Sequence, residues 1–126
     1  MGSRLNARLL DSTIVIDALN GHAAAAVEIL DAEASFISRV TWIEVLAGCK
    51  TEQTEEAARE VLSQLTVLEI DSAVSQRTVE VRRTTRLKLP DAIILATARV
   101  HGLTLSTRNT KDFDANDPSV RIPYEL

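Results

Sequence analysis

One cysteine, Cys49, is present, and a single residue of that kind cannot close an intramolecular disulfide. Its apolar neighbours Val45 and Leu46, with no activating partner in view, make it read as a packed thiol rather than a nucleophile. Aromatic residues are 3% of the chain (Phe36, Trp42, Phe113 and Tyr124), too few for a platform that stacks single-stranded nucleic acid base by base. No apolar run reaches the roughly 18 residues of a membrane-spanning helix, and the N-terminus lacks the apolar core of a signal peptide. A cytoplasmic location with no membrane partner is therefore expected. Positive charge is not in excess: a net charge of −4 excludes a broad basic surface as the means of holding nucleic acid. The two histidines, His22 after Gly21 and His101 before Gly102, do not form an acid–base pair and read as structural.

What remains is the composition of one globular domain spanning 1–126, with 45% apolar and 25% charged residues. Met1, Gly2 and Ser3 have the look of a cloning remnant and carry no fold information. Short apolar runs predict strands within 9–16 and over 34–38, 66–70 and 103–106, with a short fifth near 120–122. Helices are predicted over 23–32, 40–49, 52–65 and 72–86, and from Pro90 to Val100, where His101-Gly102 closes the last. Strands alternating with helices at this spacing give a three-layer α/β/α domain around a parallel sheet of four to five strands.

Four acidic residues, Asp11, Glu44, Asp91 and Asp112, fall at strand ends or helix starts along this pattern. A parallel sheet gathers all its strand-to-helix turns on one edge, so the four are expected to meet in one crevice. Each has a local alternative. Asp11 could cap a helix, Glu44 could close a capping box with Thr41, and Asp91 could compensate a helix dipole. Asn109, three residues before Asp112, could cap a short helix there. Asp17 reads as a solvated helix position. Four independent caps have no reason to recur at successive strand ends, however. Clustered carboxylates need protons or cations to neutralise them, and oxygen-only donors favour hard ions such as Mg²⁺ or Mn²⁺. A metal-dependent phosphoryl-transfer site is the leading expectation, acting without histidine through a metal-activated water.

The same residues carry a resemblance. The stretches Leu10-Asp11-Ser12-Thr13-Ile14-Val15-Ile16-Asp17, Ser38 to Gly48, Leu89-Pro90-Asp91-Ala92-Ile93-Ile94, and Thr107-Arg108-Asn109-Thr110-Lys111-Asp112-Phe113 follow one another at a familiar spacing. In these the chain resembles, over essentially its whole length, the PIN domain nucleases, and within them the VapC-type toxins of toxin–antitoxin pairs. That resemblance implies a PIN-like fold, and Asp11, Glu44, Asp91 and Asp112 as metal-binding catalytic acids with Ser12, Thr107 and Asn109 as polar support. It also implies Mg²⁺- or Mn²⁺-dependent cleavage of RNA, a homodimer, and a VapB-type antitoxin as partner. Thr13 departs from the asparagine the family often has there, which weakens its case as a site residue.

The basic run Arg77, Arg82, Arg83, Arg86 and Lys88 admits two readings, a solvated helix face or contacts with an RNA backbone through Arg82, Arg83 and Arg86. Two other functional classes stay open on the residues alone. One is a Mg²⁺-binding phosphoacceptor domain of the receiver kind, which would want a lysine just after a late strand. The other is a PIN-like module that binds RNA or a protein without cutting.

Overall fold

The computed structural model describes residues 7–126; Met1, Gly2 and Ser3 lie outside the described residues. The elements follow the order β1 (Ala7–Leu10), α1 (Ser12–Leu19), α2 (Ala23–Asp31), β2 (Ala34–Ser38), α3 (Arg39–Ala47), α4 (Glu52–Ser63), β3 (Thr66–Leu68), α5 (Ser72–Thr84), α6 (Leu89–His101), β4 (Thr104–Ser106) and β5 (Val120–Arg121). The five strands form one sheet in the order β3-β2-β1-β4-β5, and every pairing is parallel.

Successive side chains of a strand face opposite ways, and β1 shows what that does here. Leu9 joins a cluster with Leu105 and the helix pair α5–α6, including Val74, Val81, Ala92 and Ile94. Leu10 joins a second cluster with Ile37 and residues of α1 to α4, including Ile14, Val15, Val45 and Leu62. Helices therefore cover both faces, and β1, buried at all four positions, reads as a continuous apolar-rich run rather than an alternating one. The expected three-layer α/β/α architecture is present.

Local chemistry sets the boundaries. Ser38 accepts the backbone N–H of Val40 and so starts α3 at Arg39, which places Thr41 inside the first turn. The alternative reading of Glu44, a capping box with Thr41, is therefore excluded. Thr51 and Thr54 instead form a reciprocal capping box on α4. Asp71 caps α5 through the N–H of Val74. Pro90 stands at the start of α6, and Gly102, at φ 65, closes it in the left-handed region where a side chain would be strained.

The strand order fixes where a site can lie. From central β1 the chain steps outward through β2 to β3 and then returns to the other side of β1 as β4. The crevice beyond the carboxyl ends of β1 and β4 is the topological switch point of the sheet, where open α/β folds bind their ligands.

Candidate active site at the switch point

Asp11 is the first residue after β1, and its N–H donates to the carbonyl of Ser106 at the end of β4 (2.8 Å). It occupies the N-cap position of α1, yet its carboxylate makes no cap hydrogen bond. The hydroxyls of Thr13 and Thr107 donate to its Oδ2 at 2.9 and 2.7 Å instead. Asp11 is 2% exposed and Thr107 is fully buried, so the carboxylate is held rigidly, with Oδ1 outside both bonds. A residue whose job was to start a helix would cap it.

Glu44 lies in the middle of α3. Its Oε1 is buried without a hydrogen-bond partner among the described residues, as is the Thr41 hydroxyl one turn earlier. Burial pushes the Glu44 carboxyl above its usual range; a hydrogen bond from Ser12 opposes the rise, and the charge of Asp11 adds to it. An orphaned buried carboxylate oxygen costs free energy unless something neutralises it.

Asp91 is in the first turn of α6, where the helix dipole favours negative charge by about 0.3–1 kcal/mol, worth well under one pKa unit. The opposite happens. Its carboxyl is raised from 3.8 to about 6, first by burial and then by the charges of Asp11, Asp112 and Glu44, with Lys88 as the only opposing influence. Dipole compensation is therefore outweighed at Asp91 by burial and by the charges of three other carboxylates. Asp112 sits at the exposed rim, where its N–H donates to Asn109 Oδ1 (3.2 Å) and its Oδ2 accepts from Asn109 Nδ2 (3.0 Å). Asn109 thus orders a loop turn around Asp112 rather than starting a helix.

The four acids therefore meet electrostatically, although they come from the end of β1, the middle of α3, the start of α6 and the loop after β4. Among the described residues, no three histidine, cysteine, aspartate or glutamate side chains form a ready-made cage for an ion. Carboxylates that repel one another spread apart, and Mg²⁺ does not require such a cage, since it keeps several waters and is usually bound by one or two carboxylates. The donor set fits such an ion: oxygen only, with one unpartnered buried oxygen and one carboxyl driven toward protonation by its neighbours.

Several supporting residues escaped the sequence analysis. Thr13, discounted there, bonds Asp11 and also accepts the N–H of Arg108 (3.2 Å). Asp17, expected to be solvated, is 3% exposed and is gripped through both oxygens by the Arg108 guanidinium. That pairing, more than any other contact, holds the Asp17 carboxyl below its usual range. Tyr124, near the C-terminus, donates its hydroxyl to the same carboxylate (2.8 Å), and burial with that contact pushes the phenol well above its ordinary range. The loop after β4 is thereby fastened to α1. Beneath it, Glu28 of α2 accepts from Ser106 (2.7 Å), Arg8 and Arg121, tying β1, β4 and β5 together next to Thr107. Apart from Thr13 with Asp11 and Arg8 with Glu28, 2 and 20 residues apart, the partners in these ties lie 78 to 107 residues apart in the chain, beyond the reach of local pattern.

Of the basic run, Arg82 donates to the carbonyl of Leu87 (2.9 Å) and Arg77 approaches Glu80 at 3.7 Å. Arg83 and Arg86 are exposed, and Arg86 lines a cavity beside Asp112.

A parallel α/β domain with coupled carboxylates at its switch point is an architecture of metal-assisted phosphate chemistry. A family model, described as the PIN domain, matches residues 8–117, and the chain belongs to that family. A chain of a toxin–antitoxin complex from Klebsiella pneumoniae is 42% identical, with 94% of this chain and 99% of that one covered and a TM-score of 0.87. Two more distant structures share the fold. VapBC2 from Rickettsia felis, bound to a DNA fragment from its promoter, is 19% identical over 95% of this chain and 98% of that one, TM-score 0.74. Mycobacterium tuberculosis VapC20, a Sarcin-Ricin loop cleaving toxin, is 15% identical over 86% and 91%, TM-score 0.62. Among curated proteins nothing matches the chain.

Proposed function

We propose that this chain is a divalent-metal-dependent endoribonuclease, the toxin of a toxin–antitoxin pair, with Asp11, Glu44, Asp91 and Asp112 as its catalytic carboxylates. The observation that carries the reading is geometric: at the switch point Asp11 is buried and held by Thr13 and Thr107 with Oδ1 outside both bonds, and Glu44 has a buried oxygen with no partner among the described residues. Burial and the charges of Asp11, Asp112 and Glu44 raise Asp91 in keeping with a shared ion site. The PIN family and the 42% identical chain from a toxin–antitoxin complex support the biological setting, including an antitoxin partner, here taken as VapB-type; the homodimer rests on the family resemblance alone. No helix among the described residues is long and apolar enough to cross a membrane.

Mg²⁺ or Mn²⁺, when bound, supplies a water of lowered pKa and offsets charge on the scissile phosphate. The chain's own residues do the rest. Thr13 and Thr107 fix Asp11 so that Oδ1 is presented in one orientation. Asp91 and Asp11 act as the principal ligands. Glu44, restrained by Ser12, and Asp112, restrained by Asn109, complete the shell or orient the attacking water. In-line attack by water leaves a 3′-hydroxyl and a 5′-phosphate.

The test is cleavage of total cellular RNA by wild type and Asp11→Asn in Mg²⁺, in Mn²⁺ and in excess chelator. Discrete fragments with 5′-phosphates are expected from the wild type with either metal. Chelation and Asp11→Asn should each reduce cutting by more than the roughly 10–100-fold that loss of an outer-shell partner costs. Undiminished cutting in chelator would remove the mechanism.

A further inference from the structure

A cavity of about 370 Å³ opens between the segment after α5, the flank of α6 and the loop after β4. Asp112 is one of its walls and is also one of the carboxylates whose charge acts on Asp91, so the cavity adjoins the carboxylate cluster at that residue. Its floor is apolar, with Leu87, Leu95 and Phe113 only 8%, 4% and 2% exposed. Three cations, Arg86, Arg99 and Lys111, and three carboxylates, Asp112, Asp114 and Asp117, stand in its walls. Arg99 is paired with Asp117 (3.1 Å), Asp117 also accepts from Ser119, and Asp114 accepts the N–H of Asn116. Arg86 and Lys111 make no ion pair or side-chain hydrogen bond among the described residues.

We propose that this cavity is a nucleotide subsite, holding the nucleotide next to the scissile phosphate with its base over the Leu87–Phe113 floor and its phosphate between Arg86 and Lys111. This rests on the nuclease reading and specifies how the substrate is held. An apolar floor suits the face of any base, and the volume lies in the range of small-molecule sites, about 300–1,000 Å³. The electrostatics favour such a device. The bound metal offsets charge at the scissile phosphate, but in a chain of net charge −4 the flanking phosphates are helped by cations of the protein itself. Of the cations lining the cavity, Arg86 and Lys111 are the two without an ion pair among the described residues, while Lys88, outside its lining, acts on Asp91. Arg82, by contrast, is turned to a backbone carbonyl.

The test uses the ¹⁵N-labelled full chain titrated with adenosine 5′-monophosphate in Ca²⁺, beside Arg86→Ala, Lys111→Ala and the double variant. Both side chains are exposed, so the variants keep the fold. Chemical-shift changes are expected at 86–87 and 111–113, with affinity falling about tenfold for each variant and likewise for adenosine without its phosphate. In the RNA assay the variants should raise KM and leave kcat and Mn²⁺ affinity unchanged. Shifts that are absent or fall elsewhere, equal binding by the double variant, or saturation by an acidic peptide but not by the nucleotide would each overturn the subsite. Failure of the two readings is distinguishable. A protein that binds the nucleotide here but cuts no RNA retains the subsite and loses the nuclease. One that cuts RNA with unchanged KM in both variants retains the nuclease and loses the subsite.

Discussion

Asp91→Asn is expected to abolish RNA cleavage while making the metal-free protein more stable at neutral pH. The two effects have one cause. In the folded chain the Asp91 carboxyl is raised to about 6 by burial and by Asp11, Asp112 and Glu44, against 3.8 for an unperturbed side chain. Between those values the folded state binds more protons than the unfolded state, so stability falls as pH rises from about 4 to 6 and the loss is complete above that. The amide carries no charge and escapes this cost. After allowance for solvent screening, the gain at pH 7.5 is about 1–2 kcal/mol, or several degrees in Tm, and it vanishes near pH 4. Metal should reverse the ranking, because an ion stabilises ionised Asp91 and can offer the amide much less. Thermal melts of both proteins at pH 4, 6 and 7.5, with and without Mn²⁺, check this. A variant less stable than wild type at pH 7.5 without metal would show that Asp91 is not strained by its neighbours.

Glu28→Ala should be the most damaging single change to the fold. Glu28 is 3% exposed and faces Arg8, itself 7% exposed, at 3.0 Å. Burial would raise the Glu28 carboxyl, but hydrogen bonds from Arg121 and Ser106 and the charges of Arg121 and Arg8 outweigh it and leave the group lowered. A lowered carboxyl contributes stability at neutral pH that is lost as pH falls through its folded value. Truncation leaves the Arg8 guanidinium buried without its counter-charge, a loss of about 3–5 kcal/mol and roughly 10–20 °C in Tm. It also frees Ser106, whose carbonyl holds the N–H of Asp11 and which precedes Thr107. Denaturant unfolding at pH 7.5 measures the effect. A change below 1 kcal/mol would mean that water enters and solvates Arg8.

The contrast between these two acids shows what the sequence made legible. Asp91 sits after a proline at the head of a strongly apolar helix, and such helix and strand signals are local, so the elements and the four-acid edge could be read from pattern. Glu28 lay in an alanine-rich helix with nothing to mark it, because its partners Arg8, Ser106 and Arg121 are brought to it only by the sheet order β1-β4-β5. Asp17 was misjudged for the same reason: its burial depends on Arg108 and Tyr124. Glu44 carried two local readings, a site acid and a cap. Thr41-Trp42-Ile43-Glu44 matches a capping box, but Ser38 captures the helix start three residues earlier, which frees the glutamate side chain for the crevice. Hydroxyl support was legible only through the family resemblance, which named Ser12 and Thr107 but not Thr13, since local pattern does not distinguish a threonine that bonds a carboxylate from one that faces solvent.

Mn²⁺ binding followed by the loss of its free electron paramagnetic resonance signal tests the shared carboxylate site without needing the right RNA. At pH 7.5 the wild type should take up Mn²⁺, and Asp11→Asn and Asp91→Asn should each weaken uptake by at least about tenfold, with Mg²⁺ competing at the same site. Equal Mn²⁺ uptake by the wild type and by the Asp11→Asn/Asp91→Asn double variant would contradict the account.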